Sequence, residues 1–183
     1  MNATCRSRFL ISSLCVYLFS AAAFSADIAR KEAVVASIER QKPALIQMSD
    51  QIWGFAETAL RETKSSNVLA DYAEKQGFKV ERGVSDMPTA FTATFGSGKP
   101  IIGILGEFDA LPGLSQKAQP TKEALEPGKP GHGCGHNMFG AASLGAATAI
   151  KELIADGKLK GTIRFYGTPA EESVGGKIYM ARN

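Results

Sequence analysis

Among its 183 residues the sequence has only three cysteines, two histidines and one tryptophan. So little cysteine excludes a disulfide-stapled scaffold. A large excess of charge of one sign is also missing, with Lys plus Arg at 21 and Asp plus Glu at 18. A balance this close to neutral lacks the basic excess that a phosphate backbone selects, which argues against nucleic acid as the partner. There is no internal repeat and no low-complexity tract. What is present is ordinary for a globular chain, 44% hydrophobic and 21% charged residues, at a length typical of one domain.

The N-terminus reads as an address. Arg6 and Arg8 precede an apolar run from Phe9 to Phe24, and Ala23-Phe24-Ser25 supplies small residues at its end. This is the three-part layout of a secretory signal peptide over residues 1–25, and it implies an exported protein, periplasmic or secreted. The run is shorter than the roughly 20 residues a membrane span needs, so an uncleaved anchor is the lesser alternative. Removing this segment leaves 19 basic residues against 18 acidic. It also takes away Cys5 and Cys15, so Cys134 alone remains, as a buried spectator, an intermolecular bridge, a nucleophile or a metal ligand.

Over residues 26–183 the pattern is that of an α/β protein. Asp27 to Glu57 is expected to be helical, with Pro43 interrupting or kinking it. Asn67 to Gln76 is a second helix, capped by Ser65 or Ser66 and stopped by Gly77. Strands are expected at 78–81, at Thr89 to Phe95, at Ile101 to Leu105 and at Thr162 to Tyr166. The continuously apolar Ile101–Leu105 fits a central strand covered on both faces. Residues 113–135, rich in Gly, Pro, Lys and Gln, read as a long loop, a length usually associated with function. Met138 to Ala155 is a helix crowded with Ala and Gly, and Gly175 to Asn183 starts another. The order predicts a mainly parallel or mixed sheet flanked by helices. Sites in such sheets form beyond the carboxyl ends of strands, here at Glu107-Phe108-Asp109 and at Pro169-Ala170-Glu171-Glu172.

Both histidines and the remaining cysteine fall within GHGCGH (131–136). Imidazole nitrogen and thiolate sulfur are preferred zinc donors. In an extended loop residues two apart point the same way, so His132, Cys134 and His136 are expected to share one side. Their place before a helix N-terminus favours the thiolate. Glu171 and Glu172 offer a carboxylate for the metal and a neighbour to take a proton from activated water. Glu107 and Asp109 read either as turn caps or as supports that orient a ligating histidine. A competing reading makes Cys134 a nucleophile with His132 or His136 as its base.

Three segments, GEFDALPG (106–113), GHGCGHNMFG (131–140) and GTPAEES (167–173), resemble the metal-dependent aminoacylase and carboxypeptidase family, peptidase family M20. Within it they are most similar to the branch of aminobenzoyl-glutamate, hippurate and indole-acetyl-amino-acid hydrolases. The likeness runs from about Ile52 to Arg182. It implies a partial zinc-peptidase-type catalytic domain. It also implies hydrolysis of an amide bond in small N-acyl or aminobenzoyl amino acids by metal-activated water. By position, Cys134, His136 and Glu172 would hold the metal, Glu171 would be the general base, and Asp109 would be the supporting acid. Glu107 stands where other branches place a metal histidine, and Asn137 where many relatives carry Asp. His132 matches the motif with no direct ligand role assigned. The resemblance further implies two zinc ions, with manganese or cobalt as alternatives, and a homodimer or hetero-oligomer for the full-length protein. Family members are more than twice as long and supply further histidines and a smaller inserted domain. The expectation is therefore that residues 26–183 are the N-terminal part of the catalytic domain. The alternative is a truncated, non-catalytic remnant that binds metal weakly or not at all.

Overall fold

The structure, a computed structural model, describes residues 3–182, with side chains described from Asp27 onward. The side chains of the leader expected over residues 1–25 lie outside the described residues. The elements run α1 (Ala3–Phe55), α2 (Thr63–Lys75), β1 (Lys79–Arg82), β2 (Phe91–Ser97), β3 (Ile101–Glu107), α3 (His136–Ala155), β4 (Gly161–Thr168) and α4 (Gly176–Met180). The order expected from the sequence is the order observed. The four strands form one mixed sheet in the order β1-β2-β4-β3. β1 and β2 pair antiparallel, as do β2 and β4, whereas β3 and β4 run parallel.

A parallel pair needs a crossover connection, and here the long loop and α3 provide it. The β3–β4 register sets Leu105 opposite Tyr166 and Glu107 opposite Thr168. The two strands therefore end level, and the acid-bearing segments that follow them emerge side by side.

Helices α1, α2 and α3 gather over one face of the sheet. The core is aromatic at its centre: the Phe91 ring lies 5.6 Å from that of Phe165 and 6.3 Å from that of Phe108, and all three are fully buried. Ile52 of α1, Leu69 of α2 and Leu144 of α3 close over them. α3 is long and apolar enough to cross a membrane by composition. Its buried Ala141, Leu144, Ala147 and Leu153 explain that composition as core packing.

Three local expectations are corrected. Helix α1 continues through Pro43 rather than breaking there. A proline inside a helix removes one N–H bond, and packing of α1 on α3 holds the helix together across the gap. Ser65 and Ser66 lie inside α2 and are buried; its first turn is closed instead by Glu57, whose carboxylate accepts from the Ser65 N–H and hydroxyl, each at 2.9 Å. β3 is an edge strand among the described residues, not a central one, with Ile101, Ile102 and Leu105 exposed.

Replacing Phe91 with Ala empties the centre of the aromatic cluster. The expected loss is about 3–5 kcal/mol of folding stability, read as a lower urea midpoint at unchanged slope.

Candidate metal and catalytic site

At the end of β3 the chain carries Glu107, then the buried anchor Phe108, then Asp109, which is 1% exposed. Opposite them α3 begins at His136, after Gly135 in a left-handed conformation (φ 89°). Gly140 lets the two approach. A Cβ there would come within 2.6 Å of the Glu107 carbonyl oxygen, so only glycine brings the first turn of α3 this close to the strand end.

That approach sets His136 among acids. Its Nδ1 lies 3.0 Å from Asp109 Oδ1 and 3.1 Å from the Asp109 carbonyl. Both oxygens only accept, so Nδ1 carries the proton. Nε2 faces the other way, 2.9 Å from Glu107 Oε2, 3.8 Å from Glu171 Oε2 and 3.9 Å from Glu172 Oε1. Asp109 also joins the two strand ends, because its Oδ2 accepts from the Glu172 N–H at 2.9 Å. Ligand-type atoms of Cys134, His136 and Glu172 lie within 4.8 Å of one another, and so do those of Glu107, His136 and Glu171. All five predicted site residues thus converge, and Glu107 joins them. Among the described residues, Glu172 Oε1 is buried without a hydrogen-bond partner.

The electrostatics follow from this crowding. Burial alone would push the His136 imidazole down, but the Asp109 carboxylate, with Glu107 and Glu172, overcomes it and holds its pKa above the usual histidine value. Burial would raise Asp109; the His136 ring and the Glu172 N–H reverse that and hold its carboxyl below the usual range. Desolvation, then Glu172, Glu171 and Glu107, push the Cys134 thiol up. The expected thiolate at a helix N-terminus is therefore disfavoured by the surrounding acids, and a cation among them would reverse the balance.

His132 does not share a side with Cys134 and His136. The loop turns, and its Nε2 lies 3.0 Å from the Ile52 carbonyl of α1 while its ring stacks on Trp53. Its Nδ1 is buried without a hydrogen-bond partner among the described residues. Burial pushes its pKa down, so it is a neutral ring tying the loop to α1. Asn137 is likewise turned toward α1, donating to Ser49 Oγ at 3.0 Å.

Two residues at the site were not expected from the sequence. Lys177 of α4 pairs with Glu107. Glu62, fully buried, accepts from the Ala170 N–H immediately before the Glu171-Glu172 pair. A lysine a few residues past that pair, in a segment expected to be helical, was a readable signal; nothing in the surroundings of Glu62 was.

Residues 103–183 match the model of Peptidase family M20/M25/M40. The chain is 47% identical over 149 residues to a p-aminobenzoyl-glutamate hydrolase component of Escherichia coli, covering 80% of this chain and 31% of that protein. Through residues 103–183 this is M20 peptidase sequence. It is also 32% identical over 162 residues to the human Xaa-Arg dipeptidase, covering 77% of this chain and 32% of that one. Among solved structures, it is similar to a Bacillus subtilis dinuclear metal-binding peptidase of the M20 family, with a TM-score of 0.59 and 27% identity over 74% of this chain and 36% of the other. The chain spans about a third of the length of these relatives. The mixed sheet flanked by helices is the M20 catalytic architecture over the part compared.

In metal-free protein, Asp109→Asn is expected to lower the His136 pKa, measured by NMR titration of the imidazole. The sign follows from the raised folded value. The stabilising contribution of charged His136 is full below the unfolded value near 6.5, and fades as pH rises through the raised one.

Proposed function

We propose that the protein is a metal-dependent amidohydrolase cleaving an amide bond in an N-acyl or aminobenzoyl amino acid. The observation that carries this reading is the meeting of Cys134, His136 and Glu172 within 4.8 Å, with Glu171 beside them. Its relatives are named as a p-aminobenzoyl-glutamate hydrolase and a dipeptidase, which supports an amide-linked amino acid as the substrate class.

The residues present fit a divalent cation. Sulfur, nitrogen and carboxylate donors converge, Glu172 Oε1 is an orphaned buried acceptor, and three carboxylates surround one imidazole nitrogen. Cys134, His136 and Glu172 would hold one ion, and Glu107 with Glu171 borders a second position around the same histidine. Zinc suits the thiolate and imidazole, with manganese and cobalt as alternatives. A bound divalent ion supplies Lewis acidity for the scissile carbonyl and lowers the pKa of water.

The chain's own residues do the rest. Asp109 keeps the proton on His136 Nδ1, which makes Nε2 the atom that would donate to an ion. Glu171, whose side chain is 38% exposed, reaches both the cluster and solvent. It takes a proton from the attacking water as the new C–O bond forms. It then delivers that proton to the departing amine nitrogen as the C–N bond breaks, so the products are a carboxylic acid and an amine.

The test is Glu171→Gln, which keeps shape and removes the proton acceptor. Turnover of an N-acyl amino acid should fall at least about 100-fold, with bound metal retained; unchanged turnover overturns the assignment of the base. Chelation should abolish activity and zinc, manganese or cobalt should restore it. If thiol alkylation inactivates and added metal gives no protection, Cys134 is a nucleophile. A folded wild-type protein that binds no metal and hydrolyses nothing corresponds to the non-catalytic reading.

The leader pattern supports export, with residues 26–183 belonging to the catalytic domain. Mass spectrometry of protein recovered from the periplasm or medium should show an N-terminus near Asp27. The Escherichia coli relative is named as one subunit of its hydrolase, which supports assembly of this protein with itself or a second chain.

A further inference from the structure

Glu62 is a buried acid that the proposed mechanism does not use. It precedes α2, is fully buried, and among the described residues no cation is one of the groups that hold it. Its Oε1 accepts from the Ala170 N–H at 2.9 Å and its Oε2 from the Thr89 hydroxyl at 3.1 Å. Burying a carboxylate this way is costly, so the contact it makes is informative.

Ala170 is itself unusual. It has φ of 58°, the left-handed region that alanine disfavours, and it is fully buried. Its carbonyl accepts from the Gly175 N–H at 2.8 Å, which closes the turn containing Glu171 and Glu172. The backbone of that turn is thus gripped by two buried carboxylates. Glu62 takes the N–H of Ala170, and Asp109 takes the N–H of Glu172. Glu171 lies between the two grips. If Ala170 lost that grip, the turn carrying Glu171 and Glu172 would be held by a buried carboxylate only at the Glu172 N–H.

We propose that Glu62 is a positioning residue for the Glu171-Glu172 pair, holding Ala170 in its left-handed conformation through the Ala170 N–H. The proposal rests on the hydrolase reading above and names a residue that acts through the backbone, not on the substrate.

The experiment compares Glu62→Ala, Glu62→Gln and Glu62→Ala combined with Ala170→Gly in the zinc-loaded protein. Glu62→Ala should lower kcat and zinc affinity by about 10–100-fold, the range for supporting residues around metal sites, while KM stays near the wild-type value. Glu62→Gln should keep most of both, because its amide oxygen still accepts the Ala170 N–H and its amide nitrogen can donate to Thr89. The Ala170→Gly change should recover part of the loss, because glycine enters the left-handed region without penalty. Amide exchange at Ala170 should quicken in Glu62→Ala with or without metal, a readout independent of turnover. If Glu62→Ala does not fold, Glu62→Asp, too short to reach the N–H, takes its place with the same expectations. A folded Glu62→Ala with unchanged kcat, zinc affinity and exchange overturns the proposal, and so does equal loss in Glu62→Gln. An inert wild type that binds no zinc overturns the hydrolase reading instead, and the exchange comparison still decides whether Glu62 holds the turn.

Discussion

The site depends on one carboxylate. Asp109 accepts from His136 on one oxygen and from the Glu172 N–H on the other. The first bond sets the orientation and protonation of the ring at the start of α3. The second ties the turn after β4 to the turn after β3. Parallel pairing makes this geometry available, because the register ends both strands at the same level. Without the bridge, the two halves of the donor set would sit on separate loops with no shared reference.

Around that bridge the acids are deployed unequally. Asp109 and Glu62 are buried and spend their lone pairs on the protein's own N–H and O–H groups. Glu172 is mostly buried yet leaves one oxygen unsatisfied, and Glu171 is the most exposed of the carboxylates facing His136. This gradient separates framework from reactive groups. The framework acids are satisfied and fixed, whereas the outer acids keep the capacity to bind an ion or move a proton. Lys177, paired with Glu107, offsets part of the negative charge from outside the donor set.

How much of this the sequence revealed depends on chemistry type. Cys134 and His136 were legible because cysteine and histidine are scarce here and meet in one segment before a helix, and Glu171 and Glu172 because they follow a strand end. The α/β order was legible because period and turn residues agree along the chain. Glu62 was not, because Glu62 beside Arg61 reads as an exposed charged stretch, and only its tertiary contact with Ala170 gives it meaning. The capping of α2 was misread for a related reason: Ser65 has the right chemistry, but the carboxylate of Glu57 is stronger and within reach. His132 was placed with the wrong neighbours because a two-residue spacing aligns side chains only where the chain stays extended. β3 looked central because apolarity reports what a strand is suited to contact, not where it stands in the sheet.

The partners at this site are far apart in the chain. Glu62 and Ala170 are separated by 108 positions, and Asp109 and Glu172 by 63. Closing such loops comes at a large entropic cost before any local reward, so the donor set forms only when β3, α3 and β4 are already assembled. An ion that needs Glu172 as well as the GHGCGH segment would favour the folded state, because only folding brings the two together. By mass action, its free concentration then becomes a determinant of how much of the chain is folded at all. On the proposed metal-binding reading, metal supply and folding yield would be one equilibrium for this protein.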